Sequence, residues 1–195
     1  MTKELFTIGH SNHRMFDFLR LVRSHGVNAL VDVRSHPYSR LHPQFNRKVL
    51  AADLRKAKIA YVFLGQELGA RRVETACYVD GRADYGSIAE LPIFQEGLKR
   101  VREGIRQYRI TLMCAERDPI DCHRVILVCR HLRKEGITLK HIREDGSLET
   151  HADLETRLVD RLEIEPDLFN GTRDFERLVE KAYDIQGEKI AYVRR

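Results

Sequence analysis

The sequence predicts an α/β fold, in which a mostly parallel sheet is flanked by helices and followed by a short helical C-terminal extension. Short apolar runs recur along the chain, and segments with apolar residues at helical spacing lie between them. A strand, an amphipathic helix and a second strand form a unit whose crossover makes the two strands parallel. A hydrophobic content of 43% over 195 residues is enough to bury a continuous core. We therefore assign residues 1–151 to one α/β domain and residues 152–195 to an extension packed on it.

The first three elements form such a unit. Residues 5–9 are mostly apolar and predict a short buried strand. Residues 15–25 predict an amphipathic helix that is closed by Gly26, and residues 27–33 predict the second strand. The two strands are therefore expected to lie parallel in one sheet.

The same pattern repeats further along the chain. Residues 45–58 predict a helix, and residues 61–64 predict a strand. Residues 91–105 place apolar side chains at helical spacing just before an apolar strand at residues 110–113. A last strand is expected at residues 138–142. These strands extend the predicted sheet beyond the first unit.

Two stretches do not follow this repeat. Residues 34–44 and 65–90 show no clear period, and loops of that length usually carry function or short elements of their own. After the turn signal Asp145-Gly146, the C-terminal extension offers two helices separated by residues 166–171.

Composition limits the classes of function. A net charge of +5 favours an anionic partner, either a small molecule or a nucleic acid. The chain starts without the basic and apolar regions of a signal peptide, and no apolar run approaches the roughly 20 residues that span a bilayer. We expect a cytoplasmic protein with no membrane partner, in which the four cysteines are thiols. The oligomeric state does not follow from the sequence.

Ionisable residues follow several of the predicted strands. His10 comes after the first strand, Asp32 and Arg34 end the second, and Cys114 and Glu116 follow the strand at 110–113. Ligands bind beyond the carboxyl ends of the strands in an open α/β sheet, so these residues are expected to converge. Each could also be structural, with Asp32 pairing with Arg34, for example. Together they are costly to bury unless they pair or serve a ligand.

The segment from residue 114 to residue 124 is the richest in reactive side chains. A helix is expected to begin near Cys122, His123 and Arg124, and the free N–H groups of a helix start bind anions. Arg124 could add a bidentate contact to a phosphate or carboxylate. The same surroundings would favour a thiolate at Cys122, which could act as a nucleophile while His123 or Glu116 transfers protons. An anion clamp without covalent chemistry is the alternative.

A metal site is not indicated by local spacing. The Cys-x7-Cys-His arrangement that begins at Cys114 is not a standard ligand pattern, so we predict no cofactor and no metal ligand. Zinc remains an alternative. Its ligands would come from Cys114, Cys122, His10, His123, His141 and His151.

Short motifs occur in a fixed order along much of the chain. They lie at residues 7–11, 31–34, 43–46, 68–69, 83–85, 113–116 and 122–124. In this order they resemble the bacterial and archaeal family called domain of unknown function 488, over residues 7–151. The resemblance implies an α/β fold and an association with DNA repair or nucleic-acid metabolism, but no established catalytic residues or substrate. It adds Ser39, Arg40 and Arg71 to the residues of interest.

The leading hypothesis is an enzyme, a hydrolase or transferase, that acts on a phosphate-bearing nucleotide or nucleic-acid substrate. The candidate catalytic residues are Glu116, Cys122, His123, His10 and Asp32. The candidate substrate-binding residues are Ser11, Arg34, Ser39, Arg40, Arg71 and Arg124. One alternative is a non-enzymatic nucleotide or nucleic-acid binding module, in which arginines position phosphates and cysteines only pack. The other is a sulfur-transfer or redox protein that uses Cys114 and Cys122 as a pair.

Overall fold

The computed structural model describes residues 3–165 and 175–194 of the chain. Its strands, in chain order, are β1 (Glu4–Gly9), β2 (Ala29–Asp32), β3 (Ala60–Phe63), β4 (Tyr78–Val79), β5 (Arg82–Ala83), β6 (Ile110–Cys114), β7 (Thr138–Ile142) and β8 (Leu148–Thr150). Six of them form one sheet in the order β3-β2-β6-β1-β7-β8, and β4 and β5 form a separate hairpin. All neighbours in the large sheet are parallel except β8, which pairs antiparallel with β7. The predicted mostly parallel α/β fold is confirmed.

Helices cover both faces of this sheet. They are α1 (Met15–Ser24), α2 (Arg47–Lys56), α3 (Gly65–Leu68), α4 (Tyr85–Ala89), α5 (Pro92–Gly104), α6, α7 (His151–Arg161) and α8 (Phe175–Ile190). The helix α6 begins as a π-helix, Arg124–Cys129, and continues as an α-helical turn, Arg130–Leu132. Short 3-10 turns lie at Pro43–Phe45, Thr75–Cys77, Pro119–Asp121 and Arg133–Glu135. Within the described ranges, no helix combines the length and the apolar character that crossing a membrane requires.

The alternation of side chains along each strand separates the core into two layers. Phe6 and Ile8 of β1 belong to the layer that contains Phe18 of α1 and Leu50 of α2. Leu5, their neighbour in β1, belongs to the layer that contains α5, α6 and α8. The sheet is therefore buried on both faces, as the continuous apolar runs of the sequence predict.

The two long segments without a clear period contain short elements. Residues 34–44 lead into the 3-10 turn Pro43–Phe45, and residues 65–90 hold α3, the β4–β5 hairpin and α4. The strand β8 was not expected either, because three residues are too few to show an alternating pattern. Both predicted C-terminal helices are present, as α7 and α8. Residues 166–171, which were predicted to separate them, lie outside the described residues.

A chain of buried polar side chains ties α8 to the sheet. Thr7 Oγ1 lies 2.8 Å from His141 Nδ1, and His141 Nε2 lies 3.0 Å from His151 Nδ1. His151 Nε2 lies 3.0 Å from the hydroxyl of Tyr183, which donates to Glu155 Oε1 at 2.9 Å. Because Tyr183 donates to the carboxylate, the whole chain can run in one direction, with each side chain donating to the next. Burial and the nearby His151 hold the pKa of His141 well below its ordinary value, in keeping with a neutral ring.

Candidate functional site

The carboxyl ends of β1, β2 and β6 open into a cavity of about 700 Å³, which we call the cleft. The strands bring these ends together because β6 lies between β2 and β1 in the sheet. The cleft is lined by His10, Ser11, Asn12, Arg34, Ser35, His36, Tyr38, Ser39, His42, Ala70, Arg71, Tyr85, Cys114, Ala115, Glu116, Arg117, Asp121, His123, Ile190 and Tyr192. A cleft at the strand ends is where an open α/β sheet binds its ligands.

The backbone after β1 runs closely beside the backbone after β6. The N–H of His10 donates to the carbonyl of Cys114 at 2.9 Å, and the N–H of Ser11 donates to the carbonyl of Ala115 at 2.8 Å. A Cβ atom on Gly9 would lie 1.9 Å from the carbonyl oxygen of Glu116. Only glycine permits this approach, so Gly9 fixes the position of the loop that carries Glu116.

Asp32 holds Arg34 in a buried ion pair at the end of β2. Arg34 Nε donates to Asp32 Oδ1 at 2.9 Å, and Arg34 Nη2 donates to Asp32 Oδ2 at 2.7 Å. The Tyr61 hydroxyl donates to Asp32 Oδ2 at 2.9 Å, and Arg34 Nη2 also donates to the carbonyl of Phe45 at 2.8 Å. The carboxylate of Asp32 is fully buried and engaged by these donors. Asp32 therefore orients the guanidinium of Arg34 instead of facing a ligand.

His10 completes this arrangement as a hydrogen-bond acceptor. Its Nε2 lies 3.1 Å from Arg34 Nη1, which can only donate a hydrogen bond. Its Nδ1 lies 2.9 Å from the carbonyl oxygen of Ser11. The ring also stacks on Phe45, with 4.3 Å between the centroids. Burial and the positive charge of Arg34 lower the pKa of His10 to about 4. At neutral pH the imidazole is therefore uncharged, with its single proton on Nδ1.

Four side chains with metal-binding and acid–base chemistry meet at the base of the cleft. We call Cys114, Glu116, Cys122 and His123 the floor cluster; one donor atom from each lies within 4.8 Å of all the others. Cys122 Sγ donates to Glu116 Oε2 at 2.9 Å, and Cys114 Sγ lies 3.6 Å from His123 Nδ1. The cluster forms because Cys114 ends β6 and Glu116 follows it in the next loop, while Cys122 and His123 lie directly before α6.

The floor cluster shifts the acidity of its members in opposite directions. Burial disfavours a charge on Cys122, but the hydrogen bond from Cys114 and the charge of Arg124 outweigh it and hold the pKa of Cys122 well below its ordinary value. Desolvation and the neighbouring Cys122 raise the pKa of Glu116. Burial and the hydrogen bond to Cys122 raise the pKa of Cys114 well above its usual range. Cys122 is thus the more acidic of the two thiols, and Glu116 retains its proton more strongly than an exposed glutamate does.

Arg124 lies beneath the cleft and supports its base. Its Nη1 donates to the carbonyl of Glu116 at 2.7 Å, and its Nη2 donates to the carbonyl of Arg117 at 3.3 Å. Its backbone N–H donates to Cys122 Sγ at 3.4 Å. The side chain is only 1% exposed, and its Nε has no hydrogen-bond partner within the described part of the chain. The structure therefore places Arg124 against the loop backbone and not against the open cleft.

The family model for a domain of unknown function, DUF488, matches residues 14–131. The chain belongs to the DUF488 family. The matched residues include Arg34 and the whole floor cluster, whereas Gly9 and His10 at the end of β1 lie before them. Comparisons with curated proteins and with solved structures give no match for this chain.

The remaining predicted binding residues of this DUF488 protein occupy different positions. Ser11, Ser39 and Arg71 line the cleft. Ser11 has a φ of 45°, in the left-handed region that residues other than glycine rarely adopt. Arg71 is exposed, and its guanidinium lies 4.6 Å from the ring centroid of Tyr192. Arg40 is exposed and does not line the cleft, so the structure does not bring it together with the other candidates.

Several lining residues of the DUF488 cleft were missed from the sequence. Arg117 lies within the segment from residue 114 to residue 124, but the charge of an exposed loop arginine does not by itself indicate a binding site. His36 and His42 come from the segment without a period, at residues 34–44. Tyr192 follows α8 and reaches the cleft from the far end of the chain, which no linear pattern indicates. The C-terminal extension therefore contributes directly to the site.

Proposed function

We propose that this DUF488 protein is an enzyme that acts on a phosphate-bearing nucleotide or nucleic-acid end bound in the cleft. The observation that supports this proposal best is the combination of a cationic wall with the floor cluster in one cavity. A binding module needs only the wall, whereas a reaction needs side chains that can act as nucleophile, acid, base or ligand beside the bound group.

The wall supports an anionic substrate. Arg34, Arg71 and Arg117 line it, against the two acidic residues Glu116 and Asp121. Arg34 uses four of its five N–H groups on Asp32, Phe45 and His10, which leaves one N–H of Nη1 for a ligand. Arg71 has no acidic partner within the described ranges, so its positive charge is available at the rim of the cleft. A guanidinium of this kind binds phosphate more readily than an already paired one.

The shape and rings of the cleft support a nucleotide. A volume of about 700 Å³ lies within the range of small-molecule sites, which is roughly 300–1,000 Å³. Tyr38, His36, His42 and Tyr85 line the cavity. Tyr38 is 69% exposed, so its ring is accessible to a bound base. Aromatic side chains stack on bases with little regard to sequence, which fits a nucleotide or a strand end.

A binding titration tests the wall. We expect nucleoside monophosphates or short 5′-phosphorylated oligonucleotides to bind with an affinity that falls steeply as salt is raised, because phosphate contacts release counterions. Arg71→Ala should weaken binding about tenfold. The matched control is Arg55→Ala, because Arg55 is also exposed but does not line the cleft. Equal affinities for the two variants, or a response that does not change with salt, would contradict the proposal.

The floor is tested by a substitution that conserves its shape. Glu116→Gln should leave the affinity for the phosphate probe within about twofold and remove turnover of the same probe, as expected of a group that acts in the reaction and not in ground-state binding. If Glu116→Gln lost affinity for the probe, and the wild type did not turn the probe over, the binding module would be favoured instead. The sulfur-transfer alternative would be favoured if alkylation of Cys114 or Cys122 abolished a sulfur-transfer activity that does not depend on the phosphate probe.

A further inference from the structure

We propose that the floor cluster binds one zinc ion. This inference goes beyond the proposed function, because zinc binding is measured without any nucleotide and does not depend on the identity of the substrate. It rests on four separate features of the described residues, which are the donor set, the groups behind the donors, the charge of Arg124 and the access from the cleft.

The donor set has the chemistry that zinc prefers. Two thiol sulfurs, an imidazole nitrogen and a carboxylate oxygen lie within 4.8 Å of one another. A tetrahedral zinc ion has Zn–S bonds of about 2.3 Å and Zn–N and Zn–O bonds of about 2.0–2.2 Å, which sets its donors roughly 3.3–3.8 Å apart. The Cys114 Sγ to His123 Nδ1 distance of 3.6 Å lies in this range. The Cys122 Sγ to Glu116 Oε2 distance of 2.9 Å is about 0.4 Å shorter than its lower end, so one of these two side chains must move outward when the ion binds. Thiolates mixed with imidazole favour zinc over magnesium or calcium, which take oxygen ligands.

The groups behind the donors already orient them. His123 Nε2 lies 3.0 Å from the carbonyl of Val33 and donates its proton there, so Nδ1 is the nitrogen that faces the cluster. A histidine that binds a metal almost always donates its other ring N–H in this way. The backbone N–H of Arg124 donates to Cys122 Sγ at 3.4 Å, a contact that stabilises a thiolate. The ligands are thus held in place by β2 and by the start of α6.

Arg124 supplies the charge that such a centre requires. A guanidinium that is 1% exposed needs a compensating negative charge, yet its two terminal nitrogens contact only backbone carbonyls. No ion pair to Arg124 occurs among residues 3–165 and 175–194, and its Nε is without a partner there. Two thiolates and one carboxylate around a divalent zinc carry one net negative charge. The zinc centre and Arg124 would therefore neutralise each other.

The position of the cluster indicates a reactive centre open on one side. Cys114, Glu116 and His123 line the cleft, whereas Cys122 is 1% exposed and lies behind them. Glu116 is the most exposed of the four, so it is the ligand that water or a substrate oxygen can replace. Structural zinc sites are closed, and catalytic sites keep one exchangeable position. The structure assigns the inner three ligands to Cys114, Cys122 and His123.

A metal titration on the full-length chain tests this assignment. The chain is stripped with a chelator under reducing conditions and titrated with Zn²⁺ against a chromophoric competitor. We expect one zinc per chain. Titration with Co²⁺ should produce a thiolate-to-cobalt charge-transfer band and the intense visible bands of a tetrahedral ion. Fewer than half an equivalent of zinc, or an octahedral cobalt spectrum, would overturn the proposal.

Variants separate the floor cluster from the other cysteines. Cys122→Ala should weaken zinc binding by on the order of 100-fold or more, since even the loss of a group behind a ligand costs about 10–100-fold. Cys129→Ala is the control, because Cys129 is equally buried in α6 but lies outside the cluster. His123→Gln provides a second variant in case Cys122→Ala does not fold, as judged by circular dichroism. Zinc affinities for the Cys122 or His123 variant that match the Cys129 control would refute the site.

The outcome can be distinguished from a failure of the proposed function. Binding of the phosphate probe to the metal-free chain measures the cationic wall alone, and Arg71→Ala should weaken it while leaving the zinc stoichiometry at one. A chain that binds zinc but no phosphate probe would retain the metal site and lose the proposed substrate. A chain that binds the probe but no zinc would retain the proposed substrate and lose the metal site.

Discussion

The side chain of Arg34 shows how single residues prepare the cleft. Its position depends on Asp32, which accepts two of its hydrogen bonds, and on His10, which accepts a third. The pairing of Asp32 with Arg34 could be anticipated, because both lie at the end of the same strand. The role of His10 could not, since a sequence does not reveal which ring nitrogen carries the proton or what that nitrogen faces. Two residues predicted to be catalytic thus hold a substrate-binding candidate in place.

Removing the charge of Asp32 should therefore destabilise the fold. Asp32→Asn leaves the buried Arg34 without its counterion, which typically costs about 3–5 kcal/mol of unfolding free energy. Tyr61→Phe removes only the hydroxyl that donates to Asp32 and should cost about 1 kcal/mol. Denaturant unfolding of both variants measures the difference. Similar small losses for the two would show that the ion pair contributes little.

His10 should make the protein sensitive to acid. Its folded pKa of about 4 lies below the value of 6.5 that it has when unfolded, so the unfolded state takes up its proton first as pH falls. The stabilising contribution is complete above pH 6.5 and is lost between pH 6.5 and 4, up to roughly 3 kcal/mol. His141, whose pKa is also lowered, contributes in the same direction. Unfolding curves at pH 7, 5.5 and 4 should show a weaker pH dependence for His10→Asn than for the wild type, and parallel curves would contradict this.

At the scale of the element, long and periodic segments were predicted well and short ones were not. Helix α5 and strand β6 match their predicted ranges closely, because each repeats apolar residues over enough positions to show a period. Strands β4, β5 and β8 have two or three residues each, too few for any pattern. The start of α6 was located correctly, but its π-helical form was not foreseen. The π-helical segment Arg124–Cys129 directly follows the floor cluster, and π-helical turns occur frequently at functional sites.

The segment after α8 should contribute to ligand binding through Tyr192. The guanidinium of Arg71 lies 4.6 Å from the ring centroid of Tyr192, a cation–π distance. Such contacts are worth about 0.5–1 kcal/mol at exposed sites, so Tyr192→Ala should weaken binding of the phosphate probe about two- to fivefold. Tyr108→Ala serves as the control, because Tyr108 is 47% exposed and away from the cleft. Isothermal titration of both variants checks the difference, and identical affinities would rule out this contribution.

At the scale of the molecule, the sheet order explains why distant residues share one site. The strand β6 enters the sheet between β1 and β2, so the end of the first strand, the end of the second and the floor cluster meet at one edge. The rule that parallel strands share a carboxyl edge predicted this convergence without the strand order. It could not predict which side chains turn inward, and so Arg124 was expected in the cleft although it lies beneath it.

The hydrogen-bonded chain from Thr7 to Glu155 should couple the sheet to α8 energetically. Tyr183→Phe removes the hydroxyl that His151 and Glu155 share, and we expect a loss of about 1–3 kcal/mol, because buried polar groups are left without partners. Combining it with Thr7→Val should cost less than the sum of the two single changes, since both interrupt the same network. A double-mutant cycle in denaturant measures the coupling, and strict additivity would show that the network is not cooperative.

The contact between Arg71 and Tyr192 has a consequence for synthesis. Ser11 and Tyr192 line the same cleft although nearly the whole length of the chain separates them. Domains generally fold as units, so the cleft forms only when most of the chain that builds it has been synthesised. The wall beside Arg71, however, stays open until Tyr192 has left the ribosome. The cleft therefore obtains its full set of lining residues only after translation has passed Tyr192.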